Sequence, residues 1–290
     1  MKPVRDMTYR LEAGLIWLIY RFFLALPVDF ASALGGWIGR TLGPRLPVSR
    51  RARKNLQRAL PELDADRVVR AMWDNLGRCA AEFPHADAFT NDPARLQVVG
   101  GEYLADLRKN DGPALLYSGH LGNWELSYAL GVRAGLRVNP VYRAPDNPYL
   151  LWLFGGRGHG SGIAMIPKGP EGARQTIGLL RKGELVAMFV DQKMNDGISV
   201  PFFGHAAMTA PALASLALKY HLPVLAFRII RLGGAHFRAE IMPPVHFQES
   251  GNRPRDIEVA MTDVNHQLEQ WIREYPGQWL WLHRRWPKWS

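Results

Sequence analysis

Two patterns of hydrophobic and polar positions divide the chain. Residues 1–95 read as helical. A run from Ala13 to Val28 is apolar except for Arg21, with Trp17, Tyr20, Phe22 and Phe23 inside it. A basic helix is expected from about Ser49 to Leu60, with Ser49 a fitting N-cap, and another from Asp64 to about Phe83. Pro61 and Pro84 mark breaks, and Thr90-Asn91-Asp92-Pro93 reads as a turn. From about Gln97 short β-rich apolar runs alternate with helical stretches. Strands are expected at Ala114–Ser118, Arg137–Tyr142, Ala164–Pro167, Glu184–Val190 and Val224–Ile230. Helices are expected at Trp124–Ala134, Pro148–Phe154, Glu171–Arg181, Pro211–Tyr220 and Ile257–Tyr275. Phe237–Met242 pairs with the preceding strand through Leu232-Gly233-Gly234. This alternation predicts an α/β fold, a mixed and largely parallel sheet flanked by helices. The division is a helical, membrane-associating segment over 1–95 and an α/β domain over 96–290.

The bulk properties narrow the class. The chain has 290 residues, 47% of them hydrophobic and 21% charged, enough for a sizeable core and too ordered in composition for a disordered protein. One cysteine, Cys79, excludes an intramolecular disulfide and a thiolate-rich metal site. The net charge of +10 favours anionic partners: nucleic acid, phospholipid, phosphorylated lipid or an acidic carrier protein. No RNP sequence, zinc-finger spacing or KH-like pattern supports nucleic acid.

The apolar run near the N-terminus is interrupted by Pro27, Asp29, Gly35 and Gly36 and is followed by Arg40, Arg45, Arg50, Arg51, Arg53, Lys54 and Arg58. A signal peptide would carry a small-residue cleavage site there. The cluster would instead hold the segment at an anionic cytoplasmic surface. The expectation is an interfacial or shallowly inserted helix with Arg21 snorkelling, and the competing reading is a core helix of a soluble protein.

Three strand ends carry candidate chemistry. The first is Ser118-Gly119-His120, with Asn123 and Glu125 just beyond. An imidazole at the carboxyl end of a buried strand stands where α/β sheets bind ligands. His120 can take a proton from an acceptor hydroxyl while Glu125 holds its tautomer. The competing readings are a structural histidine or a metal pair, and two ligands fall short of a zinc site. The second is Tyr142-Arg143, which with Arg157 and Lys168 suits a phosphorylated acceptor or an acyl carrier's phosphopantetheine. Asp146-Asn147-Pro148 reads as a turn and helix start. The third is Asp191-Gln192, ending the most apolar strand, where an ionised Asp191 needs an arginine or a backbone donor. Thr209 fits an N-cap before Ala210-Pro211, and Phe202 and Phe203 either line an acyl slot or pack.

Together His120-Leu121-Gly122-Asn123-Trp124-Glu125, Tyr142-Arg143 with Asp146-Asn147-Pro148, Asp191-Gln192, Pro201-Phe202-Phe203-Gly204 with Thr209, and Trp281-Leu282-His283-Arg284-Arg285-Trp286 resemble the late acyltransferases of lipid A biosynthesis, within the lysophospholipid acyltransferase superfamily. The resemblance runs over nearly the whole chain, including Asn55-Leu56 to Pro61-Glu62-Leu63. It implies an inner-membrane enzyme facing the cytoplasm that moves a fatty acyl chain from acyl carrier protein to a hydroxyl of a phosphorylated, acylated glucosamine disaccharide. It also implies His120 as base and Glu125 as its partner; the sequence itself offers no metal site and no bound cofactor. Asn123, Arg143, Arg157, Asp191, Gln192 and Thr209 carry over as substrate-side positions. A more distant resemblance to acyltransferases of phosphatidylinositol mannosides leaves another glycolipid acceptor open. A non-catalytic membrane-surface protein using Arg50–Arg58 is the alternative of another class.

Overall fold

The computed structural model describes residues 3–153 and 163–287. Five helices come first: α1 (Pro3–Leu24), α2 (Val28–Leu42), α3 (Ser49–Ala59), α4 (Ala65–Glu82) and α5 (Ala86–Asn91). Pro27 separates α1 from α2. Asp64 caps α4, its Oδ1 accepting from the Asp66 and Arg67 backbone N–H groups. α2 and α4 cross in backbone contact: a Cβ added to Gly35 would sit 2.4 Å from the Gly77 carbonyl oxygen.

The rest alternates strand and helix. It comprises β1 (Leu96–Val99), α6 (Gly101–Asn110), β2 (Ala114–Ser118), α7 (Ser127–Arg133), β3 (Val138–Tyr142), β4 (Ile166–Pro167), α8 (Pro170–Arg181) and β5 (Leu185–Phe189). β6 (Lys193–Phe202), β7 (His205–Thr209), α9 (Ala212–Tyr220), β8 (Val224–Gly233), β9 (His236–Ile241) and α10 (Arg253–Glu274) follow. Seven strands form one sheet in the order β1-β9-β8-β2-β5-β3-β4, parallel except for the β8–β9 hairpin. β6 and β7 form a separate antiparallel pair. The mixed, largely parallel sheet flanked by helices is thus as the residue pattern predicts.

Strand alternation gives the sheet two buried faces. On one, Leu116, Leu225 and Phe227 pack under α5, α6 and α7 through Phe89, Leu104 and Leu130. On the other, Leu115, Val186 and Val224 pack with Leu56, Val69, Leu213 and Leu268 from α3, α4, α9 and α10. The chain leaves β2 towards β3 on one side and returns to β8 on the other, so a crevice opens at the carboxyl end of β2.

Some local expectations are corrected. Ser49 is the first residue of α3 rather than its cap; its buried hydroxyl donates to the Gly43 carbonyl and accepts from the Trp73 indole. Thr209 ends β7 and does not cap α9, because its hydroxyl donates to the Ala207 carbonyl while Arg285 donates to it. Phe202 and Phe203 are buried against Trp279, Trp281 and Trp286 and are absent from the cavity lining described below. β1, α6 and the β6–β7 pair had no counterpart in the sequence reading. Asn147 does start a helical turn, its Oδ1 accepting from the Tyr149 N–H.

Candidate active site

Ser118 ends β2 opposite Phe189 at the end of β5. Two residues further on each strand stand His120 and Asp191. Asp191 is fully buried. Its Oδ1 accepts from His120 Nδ1 at 2.8 Å. Its Oδ2 accepts from the His120 backbone N–H at 2.9 Å and from the Trp279 indole at 2.8 Å. The backbone donor is the one expected for an ionised group at this strand end, and the donors are His120 and Trp279 rather than an arginine. Burial alone would push this carboxyl up; the charge and hydrogen bonds of His120, with His283 nearby, hold it well below the usual carboxylate range. An ionised Asp191 keeps the proton of neutral His120 on Nδ1 and leaves a lone pair on Nε2.

That lone pair faces a polar junction. Gln192 Nε2 lies 3.3 Å from His120 Nε2 and 3.5 Å from His283 Nε2. Lys168 Nζ donates to Gln192 Oε1 at 3.3 Å. An ammonium only donates, so this contact turns the amide N–H groups towards the two imidazoles. Burial, with the charges of His120, Lys168 and Arg285, pushes His283 down to about 4, leaving it neutral near pH 7. Desolvation and the Arg143 charge lower Lys168 from its ordinary value. The rings of Phe189, Trp124 and His283 surround His120 at centroid distances of 4.9, 5.2 and 5.3 Å.

The C-terminal segment locks this loop. Leu280 N–H donates to the His120 carbonyl and Gly122 N–H to the Gln278 carbonyl. α3 holds the segment in turn: Asn55 Nδ2 donates to the Trp281 and His283 carbonyls, and Arg51 to that of Leu282. Gly122 has φ +58°, and a Cβ there would lie 1.8 Å from the Ile229 carbonyl oxygen. Only glycine fits that turn without moving β8.

A cavity of about 1180 Å³ opens from the junction, its wall mostly apolar. His120, Glu125, Arg143, Lys168, Gln192 and His283 line it. Glu125 Oε1 accepts from the Trp124 indole at 3.1 Å. Arg143, largely exposed, stands 3.6 Å from Asp146. Arg157 lies outside the described residues. Asn123 and Thr209 are buried away from the cavity lining. Asn123 donates to Glu82, itself paired with Arg231 in a network that also takes in Ser32. Thr209 is bound by Arg285, whose burial lowers it to about 10. Trp279 is a site residue that the sequence reading does not name, and His283 appears there only inside the Trp281–Trp286 motif, without a role. His120, Asp191 and His283 place ligand atoms within 4.8 Å of one another, a spacing a metal ion could bridge. Both Asp191 oxygens accept hydrogen bonds from His120 and Trp279.

A buried carboxylate–imidazole pair whose second nitrogen stands at the head of a large apolar cavity can take a proton from a group presented by an apolar substrate. Comparison makes the class specific. The family profile of bacterial lipid A biosynthesis acyltransferase matches residues 3–288, so the chain belongs to that family and is an acyltransferase. It is 27% identical over 292 residues to the lipid A biosynthesis lauroyltransferase of Escherichia coli (strain K12), covering 95% of this chain and 90% of that one. It is 29% identical over 289 residues to the lipid A biosynthesis palmitoleoyltransferase of the same organism, covering 94% and 88%. The lipid A biosynthesis acyltransferase of Shigella flexneri gives the same identity and coverage.

Proposed function

We propose that this protein transfers a fatty acyl chain from acyl carrier protein to a hydroxyl of a phosphorylated, acylated glucosamine disaccharide, a lipid A precursor. The observation that carries the reading is His120, held by buried Asp191 with Nε2 turned to the cavity, in a chain of this family. His120 Nε2 takes the proton of the acceptor hydroxyl, and the oxygen attacks the thioester carbonyl. Asp191 stabilises the imidazolium that forms. Glu125, on the cavity wall beside Trp124, adds a second carboxylate to the imidazolium's surroundings. Collapse of the tetrahedral intermediate breaks the carbon–sulfur bond, and the imidazolium returns its proton to the departing thiolate. The Gln192 amide and the Lys168 and Arg143 cations supply positive potential at the junction for the oxyanion and for acceptor phosphate. The acyl donor of the pathway is already activated, so the mechanism needs no acyl-enzyme.

The N-terminal helices support a place at the inner membrane, on its cytoplasmic side. No helix among the described residues is long and apolar enough to cross a membrane. Yet Met7, Leu11, Leu15, Leu18 and Phe22 of α1 are about half exposed or more, and Phe30 and Trp37 of α2 continue the apolar surface. A patch of this size on a protein surface marks a contact site, and the pattern fits a helix lying in the interface. Part of the basic cluster is used internally, Arg51 and Arg53 bonding to the C-terminal segment and to Asp66, while Arg50 and Lys54 remain exposed.

The test is a purified assay with acyl carrier protein thioesters and the phosphorylated acylated disaccharide, read by mass spectrometry. The expected product is heavier by one acyl group. His120→Ala is expected to lower turnover by at least ~10²-fold, the low end for a lost general base, and Glu125→Ala to lower it by less. Undiminished transfer by His120→Ala would contradict the assignment.

A further inference from the structure

The turn that follows His120 is held from behind by a buried polar network. Asn75, Cys79 and Glu82 lie at helical spacing on α4 and share one of its faces. Asn75 Nδ2 and the Cys79 thiol donate to the Gly122 carbonyl at 2.8 and 3.2 Å. Burial pushes that thiol up to about 12, so it keeps the proton it donates. Glu82, 1% exposed, accepts from Asn123 Nδ2 at 2.8 Å and from the Ser32 hydroxyl of α2 at 2.6 Å. Arg231 of β8 pairs with both Glu82 oxygens and donates from Nε to Asn75 Oδ1 at 2.8 Å. From the other side, the Gln278 carbonyl takes the Gly122 N–H.

None of Ser32, Asn75, Cys79, Glu82, Asn123 or Arg231 lines the cavity. They meet the reaction only through the chain they hold. Asn123 is the last residue before the short turn Trp124–Leu126, and its carbonyl accepts from the Leu126 N–H. That turn places the Trp124 ring centroid 5.2 Å from that of His120 and sets Glu125 against the Trp124 indole, both on the cavity wall. His120 is fixed separately, by Asp191 and by the Leu280 N–H. The network therefore governs the second carboxylate and the indole rather than the base and its buried partner. As stability it gives little, because burying an ion pair with its amides costs desolvation that apolar side chains of the same volume avoid. What it fixes is where the turn stands.

We propose that Glu82, supported by Arg231 and Asn75, is a positioning residue for acyl transfer, acting through Asn123 and Gly122 to hold Trp124 and Glu125 against His120. The proposal rests on the acyl-transfer reading above and on the place that reading gives Glu125. It turns Asn123 from a substrate-side position into the link between α4 and the site.

The experiment measures kcat, and KM for both substrates, in the purified acyl-transfer assay below the melting temperature of each variant. Asn123→Leu nearly keeps the volume and deletes the bond to Glu82, which retains Ser32 and Arg231. It should lower kcat by ~10-fold, within what a misplacement of about 1 Å costs, with both KM values little changed. Glu82→Gln should act in the same direction, and it carries the test if Asn123→Leu does not fold. Combined with Glu125→Ala, either variant should fall well short of the product of the two single losses, because both act on one carboxylate. A loss of stability alone leaves kcat per folded molecule in place and does not couple to Glu125. Undiminished kcat in both variants, or losses that multiply with that of Glu125→Ala to within ~2-fold, overturns the positioning role and leaves the acyl-transfer reading standing. Absence of acyl transfer by the wild-type protein overturns that reading and the positioning role with it.

Discussion

The carboxyl edge of the sheet and the outer face of α1 handle water in opposite ways. At the edge, polar groups are dried and paired: Asp191 is fully buried and accepts three hydrogen bonds, and His283 is held neutral. On α1 and α2, apolar groups are left wet, with Leu11 70% and Trp37 54% exposed. Each arrangement costs folding free energy when judged as stability alone. The first gives an imidazole with one fixed tautomer, and the second gives a surface that gains by contact with something apolar. The regions are physically linked: Asn147, just beyond the Arg143 strand end, donates to the Tyr9 carbonyl and to Glu12 of α1, and Tyr149 donates to Asp6.

Three perturbations sharpen the contrast, in order of expected effect. Gly122→Ala forces a Cβ into the Ile229 carbonyl and breaks the loop that carries His120. It should cost about 4 kcal/mol or more by urea denaturation, placing it among the most damaging single substitutions. Next is the acid sensitivity of His283. Its value falls from 6.5 in the unfolded chain to about 4 in the folded one. Between those values the unfolded chain binds the extra proton, so stability is full above the upper one and is lost as pH falls through the window, by up to about 3 kcal/mol. His283→Gln should flatten that slope when denaturation is compared at about pH 7 and about pH 4.5. The depressed Asp191 acts with the same sign, but at pH values below the ordinary carboxylate value of 3.8. The smallest effect on the fold should come from the wet face. Leu15→Glu and Leu18→Glu should each change stability by less than about 0.5 kcal/mol, since neither side chain is buried. Each should weaken binding to anionic vesicles by roughly 1–2 kcal/mol. Undiminished vesicle binding by the double variant would remove the membrane from the comparison.

Much of this was legible along the chain, for physical reasons. Ala114–Ser118 and Leu185–Phe189 are short apolar runs buried on both faces, and parallel strands of that kind announce themselves by hydrophobicity. His120 stood out because a polar side chain ends such a run. The β8–β9 hairpin followed from Leu232-Gly233-Gly234. β1 was missed because three of its four residues are exposed, and β6 because Lys193-Met194-Asn195-Asp196 reads as a loop. Asp191 as the hydrogen-bond partner of His120 required knowing that β2 and β5 are neighbours although 71 positions separate the two residues. Sequence proximity pointed to Glu125, whereas strand adjacency brings Asp191 to Nδ1. Trp279 and His283 reach the site through the fold-back of the segment after α10, which no local periodicity encodes.

The account turns on the buried carboxylate behind His120. The most direct measurement is kcat of Asp191→Asn in the purified acyl-transfer assay, with thermal melting to show that the nearly isosteric variant is folded. The amide can donate to Nδ1, reversing the tautomer and leaving Nε2 without its lone pair. A loss of ~10³–10⁴ in kcat, with KM for donor and acceptor little changed, is the predicted result. A kcat within about ten-fold of wild type, well short of that loss, would contradict it and return the orienting role to another group.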